Sequence, residues 1–122
     1  MKQHPLQTAG RVRLPYTRRR SDARCVTSVS RLPDVPELKA YGPDFFTGHA
    51  LLLVTDTTAS GSLRPTLHTA DITGGHGTVR LQRPLPARNQ CVTQDMATWL
   101  LWADLSWAVA NPALPPERLS LY

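Results

Sequence analysis

Thr93 and Asp95 stand two positions apart, just ahead of the most apolar run of the chain, and form its best polar constellation. A hydroxyl and a carboxylate so spaced can bind neighbouring backbone N–H groups and fix a turn, or face a cleft and bind a ligand. General acid–base work needs a second carboxylate or a base beside them, and the sequence supplies none nearby. Ser60-Gly61-Ser62, with Arg64 behind it, offers hydroxyls that become nucleophiles only with a histidine partner; on spacing alone it reads as a turn. His49, His68 and His76 lack metal-ligand spacing. Thr73-Gly74-Gly75-His76-Gly77 lacks the Gly-Lys-Ser/Thr that completes a phosphate loop, so it reads as a hairpin turn. No catalytic, cofactor-binding or metal-binding residue is therefore expected. The rival from another class is a hydrolase-like enzyme using Asp95 with one of the three histidines.

Cys25 and Cys91 are the only cysteines and belong to no metal-ligand cluster. They could pair, closing a long loop worth about 4 kcal/mol in the chain-entropy description, or remain free thiols.

The elements that must hold these residues are short. Arg24 to Val29 reads as a strand, and Asp34 and Pro36 introduce a short helix over Glu37 to Tyr41, ended by Gly42-Pro43. Asp44-Phe45-Phe46 is a tight turn with two adjacent aromatics, at least one of which should anchor in a core. Ala50 to Val54 is a continuous apolar run bounded by polar residues, which suits a buried central strand. Leu63 to Ile72 and Thr78 to Arg83 flank the glycine-rich turn as a hairpin. Asp95 to Ala110 fits both periods. Helical spacing aligns Met96, Trp99, Leu100, Ala103 and Trp107, whereas strand spacing puts Trp99, Leu101, Ala103, Leu105 and Trp107 on one face.

The order of these features resembles a family of uncharacterised bacterial proteins, often exported or lipid-anchored, distantly similar to the C-terminal domain of the protease complex subunit PrcB. The matching positions are Tyr41, Asp44-Phe45-Phe46, Ala50 to Val54, Ser60-Gly61-Ser62 with Arg64, Val79 to Arg83, Thr93-Gln94-Asp95-Met96-Ala97, and Trp99 to Leu105. The resemblance covers about residues 26 to 107. It implies a mainly β fold, a small α+β domain with a compact antiparallel sheet or sandwich and one short helix before the central strand. It also tips Trp99 to Trp107 toward a strand and implies an exported or envelope setting. On the strand reading Trp102 points away from Trp99 and Trp107, so Leu100 and Trp102 become the candidate interaction surface.

Length and charge set the remaining bounds. A chain of 122 residues with 41% hydrophobic and 19% charged side chains suits one globular domain, and no apolar run approaches the ~20 residues of a membrane helix. Residues 1–36 hold eight basic against two acidic side chains, whereas residues 37–122 hold six against seven. The expected organisation is a basic, flexible arm over 1–23, a single β-rich domain over 24–110 and an irregular Pro-rich tail over 111–122. The arm contains no aromatic residues interleaving Arg18-Arg19-Arg20, which disfavours nucleic acid as a partner. Met1 to Pro5 lacks the apolar core of a secretory signal, so either the protein is cytoplasmic or a targeting segment lies outside this sequence, and the resemblance points to the envelope; the compartment stays open. The function these readings favour is a non-catalytic protein-binding or accessory domain without a cofactor. Nucleic-acid association through the basic arm is a further alternative, and the oligomeric state is left open.

Overall fold

Strands dominate the computed structural model, which describes residues 4–14, 21–58, 64–73, 76–83, 97–106 and 119–121. In chain order they are β1 (His4–Pro5), β2 (Gly10–Leu14), β3 (Asp22–Val26), β4 (His49–Thr58), β5 (Thr66–Thr73), β6 (His76–Gln82), β7 (Ala97–Ser106) and β8 (Ser120–Leu121). They form two four-stranded sheets, ordered β1-β5-β6-β8 and β2-β7-β4-β3. Every pairing is antiparallel except that of β6 with β8. The expected mainly β fold is thus the observed one.

β4 and β7 pair along ten residues each, from His49 opposite Ser106 to Thr58 opposite Ala97. Both are apolar on both faces because both faces are covered. Ala50, Leu52, Val54, Trp99, Leu101, Ala103 and Leu105 face the other sheet, where Leu67, Ala70 and Val79 meet them. Leu51, Leu53, Leu100 and Trp102 face the opposite way, under Val35, Leu38 and Phe46 of the segment joining β3 to β4. Double-sided burial explains why residues 95–110 satisfy helical and strand periods alike: an almost unbroken apolar run has no distinctive period.

The segment 27–48 contains three 3₁₀ turns, Val29–Arg31, Pro36–Ala40 and Phe45–Thr47. The expected short helix before the central strand is the second of these, with Pro36 opening it and Leu38 buried beneath it. Val35, not Asp34, precedes its first residue, and no side chain caps it. Phe46 is buried and Phe45 half-buried, so one of the paired aromatics anchors as expected.

The sequence boundaries of the domain need correction at both ends. Residues 4–14 do not form a free arm. β1 pairs with β5, Leu6 donates its N–H to the His68 carbonyl at 2.8 Å, and β2 pairs with β7, so this stretch passes from one sheet to the other. Gly-Arg-Val-Arg-Leu sustains the strand by alternation, with Val12 and Leu14 packed on the outer cluster. At the other margin, Leu119 donates to the Ala23 carbonyl at 2.9 Å and β8 lies along β6, so the end of the expected Pro-rich tail returns to the fold. Each margin of the sandwich is therefore bridged, which leaves less unpaired sheet edge exposed.

Trp102 crosses β2 at Gly10, its register partner. A Cβ on Gly10 would occupy the position of the indole ring, so only glycine lets the ring lie against that backbone. The expected interaction surface of Leu100 and Trp102 is accordingly absent: they are 4% and 5% exposed, covered by segment 27–48 and β2.

Candidate functional site

The polar groups of the fold concentrate at the end where β2 and β4 finish and β7 begins. Strand register builds the site in rows. Asp56 of β4 stands opposite Trp99 of β7, which in turn stands opposite Arg13 of β2. Residues directly opposite share a face, so all three side chains emerge on the side of the second sheet. Arg11 lies on the same face, opposite Leu101. From the other sheet come Arg64, just before β5, and Arg83, just after β6.

Asp56 continues the core-facing alternation of Ala50, Leu52 and Val54, and it is 1% exposed. A carboxylate taken out of water must be hydrogen-bonded and paired, and this one is. Arg83 donates from Nε at 3.1 Å and from Nη2 at 3.0 Å, one bond to each carboxylate oxygen. Ser21 donates its hydroxyl to Oδ1 at 2.8 Å. The Asp56 hydrogen bond, ahead of its charge, raises the Arg83 guanidinium above its ordinary range, against burial.

Trp99 is the second organising residue. Its indole Nε1 donates to Thr58 Oγ1 at 3.1 Å, within the buried interior. Two guanidinium groups lie over its ring, Arg11 at 5.9 Å and Arg64 at 6.0 Å from the centroid. Arg11 is further held by donating to the Pro65 carbonyl at 3.1 Å. Four arginines thus meet at this end among the described residues, against one carboxylate on the same face, which Arg83 neutralises. The connections 15–20, 59–63 and 84–96, whose described ends all meet here, carry four more arginines and one aspartate in sequence.

Of the residues singled out from sequence, Arg64 takes part in this site. Ser60, Gly61, Ser62, Thr93 and Asp95 lie outside the described residues. So do Cys91 and Trp107. Cys25 carries a free thiol, the second of the two states that the sequence left open for it. Its side chain packs against the inner core, and burial pushes its pKa up to about 11, which makes it a poor nucleophile at neutral pH. His49 and His68 are both exposed and stand apart. His49 stacks on Phe45 at 5.2 Å, whereas His68 sits where the β5–β6 register shifts. No group of three or more His, Cys, Asp or Glu side chains among the described residues is arranged to hold a metal.

A second cluster occupies the opposite end. Phe45 packs edge-on against Tyr41 at 4.8 Å and Phe46 at 5.0 Å. Burial, then the charge of Asp104, raises the Tyr41 hydroxyl above its ordinary pKa, and the Trp102 hydrogen bond opposes this. These are the tyrosine and Phe-Phe positions of the sequence resemblance, and they act as packing around Trp102.

Sequence reading missed Ser21, Asp56 and Arg83. A usable signal exists for Asp56: even-numbered residues from Ala50 to Thr58 share the core face, so a carboxylate at that phase demands a cation. Which arginine answers depends on contacts 27 residues apart in sequence, beyond the reach of local pattern.

Comparison with known proteins returns no matching family model, no matching curated protein and no matching solved structure. No helix among the described residues is long and apolar enough to cross a membrane.

Proposed function

We propose that the chain is a non-catalytic protein-binding or accessory domain. The observation that supports this is the condition of Asp56: its oxygens receive Arg83 and Ser21, so the buried carboxylate braces the end of the sandwich and is not poised for proton transfer. Around it the fold presents fixed positive charge on a frame bridged at both margins, an arrangement suited to recognition. The resemblance to envelope proteins akin to the PrcB C-terminal domain adds an exported or envelope setting to the proposal. With no matching relative, the reading rests on the residues themselves.

The test is affinity capture on the full chain, followed by titration of the recovered protein against it. Saturable, stoichiometric binding is the expected result. Failure to saturate, or turnover of ester, phosphoester or peptide substrates by the purified chain, refutes the proposal in favour of an enzyme.

A further inference from the structure

We propose that the cleft between residues 4–9 and the end of β7 binds a primary ammonium group carried on a short aliphatic chain, with the Asp104 carboxylate as its counter-charge. A free alkyl amine and a partner's lysine side chain both present this chemistry. The inference goes beyond the binding-domain reading and does not depend on it.

The cleft is a product of the crossover at the margin of the sandwich. Residues 4–9 pass from β5 to β7, and beside Asp104, Leu105 and Ser106 they leave a half-open space of about 460 Å³. That volume suits a small organic group. The wall is tied down along its length. Leu6 donates to the His68 carbonyl and Ala9 to the Trp102 carbonyl, each at 2.8 Å, and the Thr8 hydroxyl accepts the Leu67 N–H at 2.9 Å. A ligand therefore meets a wall already in place, and binding orders little further chain.

Charge decides the sign of the ligand. The chain carries 14 lysines and arginines, yet the cleft is lined by none of them, and Asp104 is its one carboxylate. Asp104 is exposed and is oriented from behind: the Trp102 indole donates to the Tyr41 hydroxyl, whose single proton is then directed at Asp104. A carboxylate has about four acceptor sites and Tyr41 takes one, so an ammonium can donate to another in a charge-assisted bond. A carboxylate or phosphate in the same place would face Asp104 with no lysine or arginine on the lining to offset the repulsion.

The rest of the lining suits the two ends of such a ligand. Leu6 and Leu105 belong to the inner core, and Pro5 and Ala9 extend that apolar floor under an aliphatic chain. His4, Gln7, Thr8 and Ser106 add nitrogen and oxygen acceptors for the remaining N–H groups of the ammonium.

NMR titration of the full chain with n-pentylamine at about pH 8, where the amine is charged and an ordinary imidazole neutral, tests the proposal. n-Pentanol and pentanoate are the uncharged and anionic probes, and the methylamide of Nα-acetyl-lysine is the peptide form. Pentylamine should bind saturably, with amide shifts centred on Gln7, Thr8 and Ser106, and pentanol and pentanoate should not. Asp104→Asn, which keeps an acceptor for Tyr41, should bind pentylamine roughly tenfold more weakly with an unchanged unfolding midpoint. Ala9→Leu, which fills the cleft from an exposed position, should weaken binding without any change of charge. Asp22→Asn, an exposed carboxylate on β3, should leave affinity unchanged. Failure of pentylamine to saturate overturns the proposal, as does equal or tighter binding of pentanol or pentanoate. Unaltered affinity in Asp104→Asn or Ala9→Leu overturns it too, and so does an equal loss in Asp22→Asn, which would reduce the effect to net charge. Tighter binding of the lysine amide than of pentylamine supports a partner's side chain as the source of the ammonium, and weaker binding supports a free amine. A cleft that takes no amine leaves the binding-domain reading where it stood.

Discussion

Removing Arg83 should destabilise the fold more than removing Asp56, although each breaks the same ion pair. The asymmetry comes from burial: the Arg83 side chain is 43% exposed and the Asp56 side chain 2%. Asp56→Asn keeps an oxygen for Ser21 and releases Arg83 to water, costing about 1 kcal/mol because the guanidinium it frees is already partly solvated. Arg83→Gln leaves a carboxylate in the interior with the Ser21 hydroxyl as its remaining described donor. Breaking a buried pair in that direction costs about 3–5 kcal/mol, which the partial exposure of Arg83 reduces to about 2–3 kcal/mol. At about 2.1 cal/mol/K of unfolding entropy per residue, a chain of 122 residues loses about 4 °C of midpoint per kcal/mol. Arg83→Gln should therefore lower the unfolding midpoint by roughly 8–12 °C, and Asp56→Asn by roughly half of that or less. The double variant buries no charge and should be no worse than Arg83→Gln alone. Urea and thermal unfolding followed by tryptophan fluorescence measure all three. Asp56→Asn proving as costly as Arg83→Gln, or strict additivity in the double variant, would refute the account of this pair.

Other expectations follow from the core. Cys25 is protonated in the fold up to about 11 but ionises from the ordinary 9.0 once unfolded. The stability it contributes is fully present below about 9 and is lost as pH rises through about 11, a fall of about 2–3 kcal/mol. Urea midpoints measured across that window should decline more steeply for the unaltered chain than for Cys25→Ala; identical slopes would show that the thiol is not held neutral by burial. Gly10→Ala should cost about 1–3 kcal/mol through overlap with the Trp102 ring, and much less in a Trp102→Leu background. A double-mutant cycle by chemical denaturation measures that coupling.

What the sequence made legible follows from how local each cause is. The hairpin is carried by neighbouring residues: Thr73 pairs with His76, as the glycine-rich turn requires. The central strand was visible in Ala50 to Val54, though the observed strand runs on to Thr58, past polar residues that had looked like its boundary. The five-residue β2 and the two-residue β1 and β8 escaped notice because strands so short have little or no period, and their pairing depends on distant partners. For Trp102, alternation gave the correct face but not its cover. That cover comes from segment 27–48 and from Gly10, some 90 residues upstream, and no pattern around Trp102 announces either.

The same distinction separates the interior from the rim at the arginine-bearing end. Asp56 and Arg83 close the interior, so their loss is felt throughout the fold. Arg64 occupies the outer rim, where an exposed cation contributes about 0–1 kcal/mol to stability and can change at little structural cost. Trp99 couples the two layers: its Nε1 is tied inward to Thr58 while its ring carries Arg11 and Arg64 outward. A rim supported in this way can alter its charge without disturbing the core. Trp99→Leu should therefore disturb both layers, whereas Arg64→Gln should disturb the rim alone.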